Sequence, residues 1–224
     1  MRLADGPAVL SFASPTTPVP DKLPLSGASF RRLGAADTRR LETHLQRLHP
    51  EDVHNRFMAT KQRSLIRRYV QSIDWENAVI VACFLGRSLR GVSELYPIDG
   101  RRGEIAVSVE RRFQRRGIGR ELLERTLLLA RNRGLVELEF RCFTTNRKMR
   151  GLVRGFDGKL DIEAMEATAV IHELPPTPIT YLIEVVEQAG LVGSSLLRLW
   201  LDTSARSAER CRLTPDMFGT RTQS

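Results

Sequence analysis

Seven residues carry the clearest chemical signal in this chain: Gln114, Arg115, Arg116, Gly117, Ile118, Gly119 and Arg120, set between the alternating segment "GEIAVSV" at 103–109 and a leucine-rich run. The first N–H groups of a helix have no intrahelical partner and sit at the positive end of its dipole, so a loop feeding a helix start is a ready anion site. Glycine at 117 and 119 lets the backbone approach a phosphate with no Cβ in the way. Arg115, Arg116 and Arg120 add charge. The ligand class this suggests is a diphosphate. A basic patch for nucleic acid and a plain charged turn before a core helix are the other readings of the same residues.

Three details sort these readings. A nucleotide-hydrolysing P-loop needs a lysine followed by Ser or Thr at the helix start, whereas Gly119 is followed by Arg120 and Glu121. A dinucleotide-binding turn needs its third glycine where Leu122 stands, and needs it directly after the strand; seven residues separate Val109 from Gly117. Glu139, about twenty residues past Gly119, is the one feature in its favour. Nucleic-acid binding usually adds aromatic platforms, but aromatic residues make up 6% of the chain and only Phe113 lies among the loop arginines. Nucleic acid is therefore not expected as a partner.

The elements that must position this loop follow from periodicity. "GEIAVSV" alternates Ile105, Val107 and Val109 against Glu104, Ala106 and Ser108, as a strand does. From Gly117 the pattern is helical, with Ile118, Leu122, Leu123, Leu127 and Ala130 on one face, Glu121 four residues before Arg125, and Gly134 as a stop. "VELEFRCF" at 136–143 is a further strand, and Thr145 or Asn146 caps a short helix, "RKMRGLVRG", that Gly155 ends. Upstream, Ala28 to Leu33 suggests a strand. Leu41, His44, Leu45 and Leu48 mark a helix that Asp37 or Thr38 could cap, and "SLIRRYVQSID" a second. Two strands follow within 77–98, turning near Gly86 and Arg87. Residues 163–173 read as a last strand, before "LPPTP" breaks the chain.

The chain has 224 residues, 42% of them apolar, enough for one domain with a real core. Its charge is +9, and of 35 basic residues only Lys22, Lys61, Lys148 and Lys159 are lysines. This balance favours anionic partners but equally suits a solvated face. Cys83, Cys142 and Cys211 show no CxxC spacing and are expected to be reduced thiols in a cytoplasmic protein. The histidines, His44, His49, His54 and His172, lack metal-ligand spacing; they are read as surface or packing residues, and no metal is expected. Nothing approaches the roughly 18 apolar residues of a membrane span. The expected organisation is a proline-rich flexible leader at 1–26, a main folded domain at 27–175, and a partly helical extension at 176–224. Within that extension, residues 181–201 could form a contact in a homo-oligomer, close over an acceptor site or pack as a late core element.

The segment "VSVERRFQRRGIGRELL" resembles the acyl-CoA-binding motif of the GNAT superfamily of N-acetyltransferases, Q/R-x-x-G-x-G/A after a strand, matched from Gln114 to Gly119. "TTNRKMRGLVRGF" is similar to the family's asparagine-led helix, and the order of elements from about residue 28 to 175 fits that fold. "LHPEDVHNRF" and "YVQSIDW" further resemble the opening region of bacterial protein-lysine acetyltransferase domains. The resemblance implies an α/β (α+β) fold: a mixed, mostly antiparallel central sheet flanked by helices, with two central parallel strands splayed apart.

It also implies acetyl-CoA as acyl donor and an amine, in a protein or a small molecule, as acceptor. Val107, Ser108 and Val109 would bind the pantetheine arm, N–H groups from Gln114 to Arg120 the diphosphate, and Asn146 and Met149 would line the far wall; Met149 reads equally well as a core residue. Glu104 stands where glutamate is the general base in similar enzymes, with Glu94 on the preceding strand in reserve. A lysine-like amine, pKa about 10.4, needs such a base. A backbone N–H within 107–109 would face the developing oxyanion. The family's tyrosine acid, seven residues after the asparagine, is replaced by Val153. A non-catalytic acetyl-CoA sensor is the alternative.

Overall fold

The computed structural model describes residues 27–59, 62–163, 166–173 and 175–188. The expected leader and the part of the extension from residue 189 onward lie outside these residues.

The chain runs β1 (Ala28–Arg32), α1 (Thr38–Arg47), α2 (Pro50–Phe57), α3 (Arg63–Gln71), β2 (Val79–Leu85), β3 (Ser88–Pro97), β4 (Arg102–Val109), α4 (Ile118–Asn132), β5 (Glu137–Phe143), α5 (Arg147–Arg154), β6 (Lys159–Glu163), β7 (Glu166–His172) and α6 (Pro178–Gln188). The strands form one sheet in the order β1-β2-β3-β4-β5-β7-β6. Every neighbouring pair is antiparallel except β4 and β5, which are parallel. The mixed, mostly antiparallel architecture expected from the sequence is the one observed.

Alternation along β2 explains why the sheet is covered on both faces. Successive side chains of a strand point to opposite sides; Val79, Val81 and Cys83 enter one core with Leu122, Leu123 and Leu127 of α4. Ile80, Ala82 and Phe84 enter a second core with Leu41 and Leu45 of α1 and Ile66 and Val70 of α3. Helix α4 thus lies against one face of the sheet and α1 to α3 against the other. Its expected ion pair is present, Arg125 Nη2 to Glu121 Oε1 at 2.9 Å, and Gly134 takes φ 74° just past its end. Cys83 and Cys142 are buried free thiols.

Three local expectations change. "PEDVHNRF" is a helix, α2, with Pro50 in its first turn, Glu51 and Asp52 beside it, and the His49 ring nitrogen accepting from the Glu51 N–H at 3.3 Å. All three features favour a helix N-terminus. The last strand is a hairpin: β7 pairs with β6, a five-residue strand that is almost wholly exposed. Asp37 precedes α1 but does not cap it; its carboxylate turns back to the Gly34 N–H and to Arg31 and Arg40.

Beyond the expected domain boundary, α6 docks on α4, with Asn132 Nδ2 donating to the Thr180 carbonyl at 3.0 Å and Tyr181 Oη to the Asn132 carbonyl at 2.9 Å. No helix among the described residues is long and apolar enough to cross a membrane.

Candidate active site

The site begins with a parting of strands. β4 and β5 are paired only at Arg102↔Glu137, Gly103↔Leu138 and Glu104↔Glu139. Beyond that rung β4 continues along β3 as far as Val109↔Gly91, while β5 continues along β7 as far as Phe143↔Glu166. The parallel ladder therefore opens into a fork with Glu104 at its apex. A cleft of about 760 Å³ fills the fork, walled by β4 from Glu104 to Val109, by the glycine loop, by α5 and by the C-terminal half of α2. Clefts of this size suit a small organic ligand.

At the wide end of the fork, α4 starts at Ile118 with Gly117 before it at φ 87°, and no side chain caps it. The first intrahelical bond recorded there is Glu121 N–H to the Gly117 carbonyl, 3.0 Å. The N–H groups of Ile118, Gly119 and Arg120 are thus left facing outward at the positive end of the dipole. Arg115 adopts φ 61°, a left-handed conformation that costs a non-glycine residue energy and tends to cluster at functional sites. A Cβ added at Gly119 would meet only Leu152 at 3.9 Å and Val109 at 4.0 Å, so the fold tolerates a side chain there. Packing does not require the bare position.

The loop's side chains divide. Arg115 and Arg120 line the cleft, although Arg120 also pairs with Glu124 at 2.8 Å and lies over the Phe156 ring. Arg116 turns to the Phe113 ring and Ile118 is buried in the core, so neither side chain lines the cleft. Gln114 donates from Nε2 to the Val109 carbonyl at 2.9 Å and accepts from Lys148 Nζ at 2.7 Å. Lys148 also lies 3.4 Å from Asp52 Oδ1 and so ties α5 to α2. Asn146 caps α5, its Oδ1 accepting from the Met149 N–H at 3.1 Å. Met149 packs against the core and also lines the cleft. Val153 is fully buried.

The two candidate bases have opposite surroundings. Glu104 is half-buried and lines the cleft. Glu94 has no exposed surface and does not line it. Its carboxylate accepts from Arg56 Nη2 at 3.1 Å, Tyr69 Oη at 2.5 Å and Tyr96 Oη at 3.0 Å. Burial and the Glu94 charge push both tyrosine hydroxyls above their ordinary range, so they remain donors. Burial works to lower Arg56, but Glu94, Tyr69 and Tyr96 together raise it, and the guanidinium stays charged.

Asp52, Asn55, Arg56, Phe57 and Met58 also line the cleft. Sequence periodicity missed them because it missed α2; the proline and the acidic first turn were the available signals. His44 is buried against β4, bonded to Ser108 and Glu110.

Known proteins share this fold. The Acetyltransferase (GNAT) family matches residues 40–156, from α1 to the end of α5. The fold resembles the GNAT domain of S. lividans PAT, 20% identical, with TM-score 0.58, covering 65% of this chain and 90% of that one. It also resembles the PaiA N-acetyltransferase of Thermoplasma acidophilum in complex with coenzyme A, 13% identical, TM-score 0.51, covering 65% and 99%. A third likeness is the ribosomal-protein-S5-alanine acetyltransferase of Vibrio fischeri, 11% identical, TM-score 0.52, covering 68% and 95%. No curated protein matches the sequence. With the family match spanning more than half of the chain, and the forked β4–β5 pair in place, this protein belongs to the GNAT family and is an N-acetyltransferase.

Proposed function

We propose that this enzyme moves the acetyl group of acetyl-CoA to a primary amine, on a protein lysine or a small molecule, by direct attack of the amine on the thioester in the β4–β5 fork. One observation carries the reading: the fork joins an uncapped helix N-terminus at its wide end to a cleft-facing carboxylate, Glu104, at its apex. The donor's diphosphate fits the N–H groups that open α4, with Arg115 and Arg120 adding charge. Its pantetheine arm fits the length of β4 from Val107 to Val109, where β5 has left the ladder and backbone groups can pair with amides.

The acyl carbon then lies toward the apex. Glu104 takes a proton from the acceptor ammonium, and the freed amine attacks. A backbone N–H within 107–109 faces the oxygen on which charge develops. Glu94, held by three donors, keeps Arg56 and the two tyrosines in place beside the acceptor side of the cleft.

Calorimetric titration with acetyl-CoA, followed by CoA release against peptides, polyamines, amino acids and aminoglycosides, tests the proposal. Binding followed by release with at least one amine is expected. Binding without release on any amine would favour a sensor module, and failure to bind at millimolar concentration would end the reading.

A further inference from the structure

A buried chain of hydrogen bonds behind β4 is left unused by this chemistry. His44, on the sheet-facing side of α1, has no exposed surface. Its Nε2 lies 3.2 Å from Ser108 Oγ and its Nδ1 3.4 Å from Glu110 Oε1. Glu110 is itself fixed by Arg47 Nε at 2.8 Å and Arg90 Nη1 at 2.9 Å. Burial works to raise the Glu110 carboxyl, but the bonds from His44, Arg47 and Arg90 and the Arg47 charge hold it at about 2. It is a carboxylate at neutral pH and can only accept.

The tautomer follows. An accepting carboxylate places the imidazole proton on Nδ1. Burial lowers the His44 pKa, which keeps the ring neutral, so Nε2 holds a lone pair and Ser108 Oγ–H is the donor. Hydroxyl, imidazole and carboxylate in this order let a hydroxyl pass a proton on and recover it. The position also matters: Ser108 lines the cleft, between Val107 and Val109. A polar cluster needed only to dock α1 costs desolvation that an apolar contact there would avoid, and it need not reach the cleft.

Resting on the acetyl-transfer reading, we infer that Ser108 and His44, oriented by Glu110, carry a proton from the reacting nitrogen to the departing sulfur. The balance is complete. The acceptor ammonium brings three protons; Glu104, about 13 Å along β4 from Ser108, takes one through water and passes it to solvent, and the nitrogen then attacks the acyl carbon beside Ser108. The second leaves nitrogen for Ser108 Oγ as the hydroxyl proton moves to His44 Nε2. The C–S bond breaks, the imidazolium returns its proton through Ser108, and the sulfur leaves as a thiol. The third proton stays in the amide. Glu110 stabilises the imidazolium while it exists. This supplies the proton delivery for which Val153, in place of a tyrosine, leaves no phenol.

The test uses acetyl-CoA with hydroxylamine, a small nucleophile that enters the cleft without acceptor recognition, and follows CoA release above the uncatalysed rate. Ser108→Ala is expected to lower kcat by about tenfold or more while CoA affinity stays within about twofold. Ser108→Thr and Ser108→Val share one shape, so their comparison isolates the hydroxyl even if both lose stability; Thr is expected to retain most of the rate and Val to lose it. Equal rates for that pair, or a Ser108→Ala loss matched by an equal loss of CoA affinity, would overturn the relay while leaving acetyl transfer intact. No release by the native chain with hydroxylamine or with any amine of the panel would remove the acetyl-transfer reading and the relay with it.

Discussion

Two glutamates ten positions apart show how far environment decides the role of one residue type. Glu104 faces the cleft; Glu94 is sealed under Arg56, Tyr69 and Tyr96. Glu104→Gln is expected to cut turnover by about a hundredfold or more with little change in acetyl-CoA affinity; an unchanged rate would assign proton removal to water. Glu94→Ala should instead act on folding, because it strands a buried guanidinium, at a cost of about 3–5 kcal/mol. Denaturant melts read that loss directly.

A pH dependence belongs to the same scale. The ordinary pKa of His44 is 6.5, and burial lowers it in the fold, with Glu110 and Glu94 pulling it up and Arg47 pushing it down. The unfolded chain therefore takes up the proton first, so the stability His44 contributes is full above 6.5 and falls as the pH drops below it. Glu110, lowered from 4.5 to about 2, adds a second loss across that lower range. Melting temperatures at pH 7.5 and 5.5 should fall further apart for the native chain than for His44→Gln; equal differences would refute the assignment. None of this was legible in sequence, because His44 lies 64 residues from Ser108 and 66 from Glu110, and a histidine on an apolar helix face reads as packing.

At the scale of elements, the loop after β4 was legible because its chemistry is local. A strand, two glycines and a helix start lie within one short stretch, and each imposes its own conformation. The two glycines nevertheless do different work. Gly117 holds φ 87°, so Gly117→Ala should cost about 1–2 kcal/mol in the free protein. Gly119 lies inside α4 with room for a methyl group, so Gly119→Ala should leave the free protein as stable or gain up to about 1 kcal/mol. Its CoA affinity should nevertheless fall, because in the proposed cradle a methyl group would stand where the diphosphate approaches the backbone. Thermal melts with and without CoA separate the two, and a Gly119→Ala variant with native affinity would contradict the cradle. By contrast, α2 and β6 escaped the sequence reading for physical reasons. After its proline α2 has only Val53 and Phe57 as apolar residues, too few for a stripe, and β6 is a five-residue edge strand with little apolar burial.

Across the whole molecule, one sheet with a core on each face holds the fork open from both sides. α4 aims its N-terminus from one face, and α1 and α2 close over the other. A ligand that ties loop, strand and α5 together should stabilise the whole domain by about 2.7 kcal/mol at a hundredfold excess over its Kd. For a domain of this size that raises the melting temperature by about 5–10 °C. Acetyl transfer itself is read most directly by mass spectrometry of an amine panel incubated with the native protein and acetyl-CoA labelled in its acetyl group. Labelled N-acetyl product formed in step with CoA release, and lost in Glu104→Gln, is the expected result. Bound acetyl-CoA that stays intact beside every amine would contradict it.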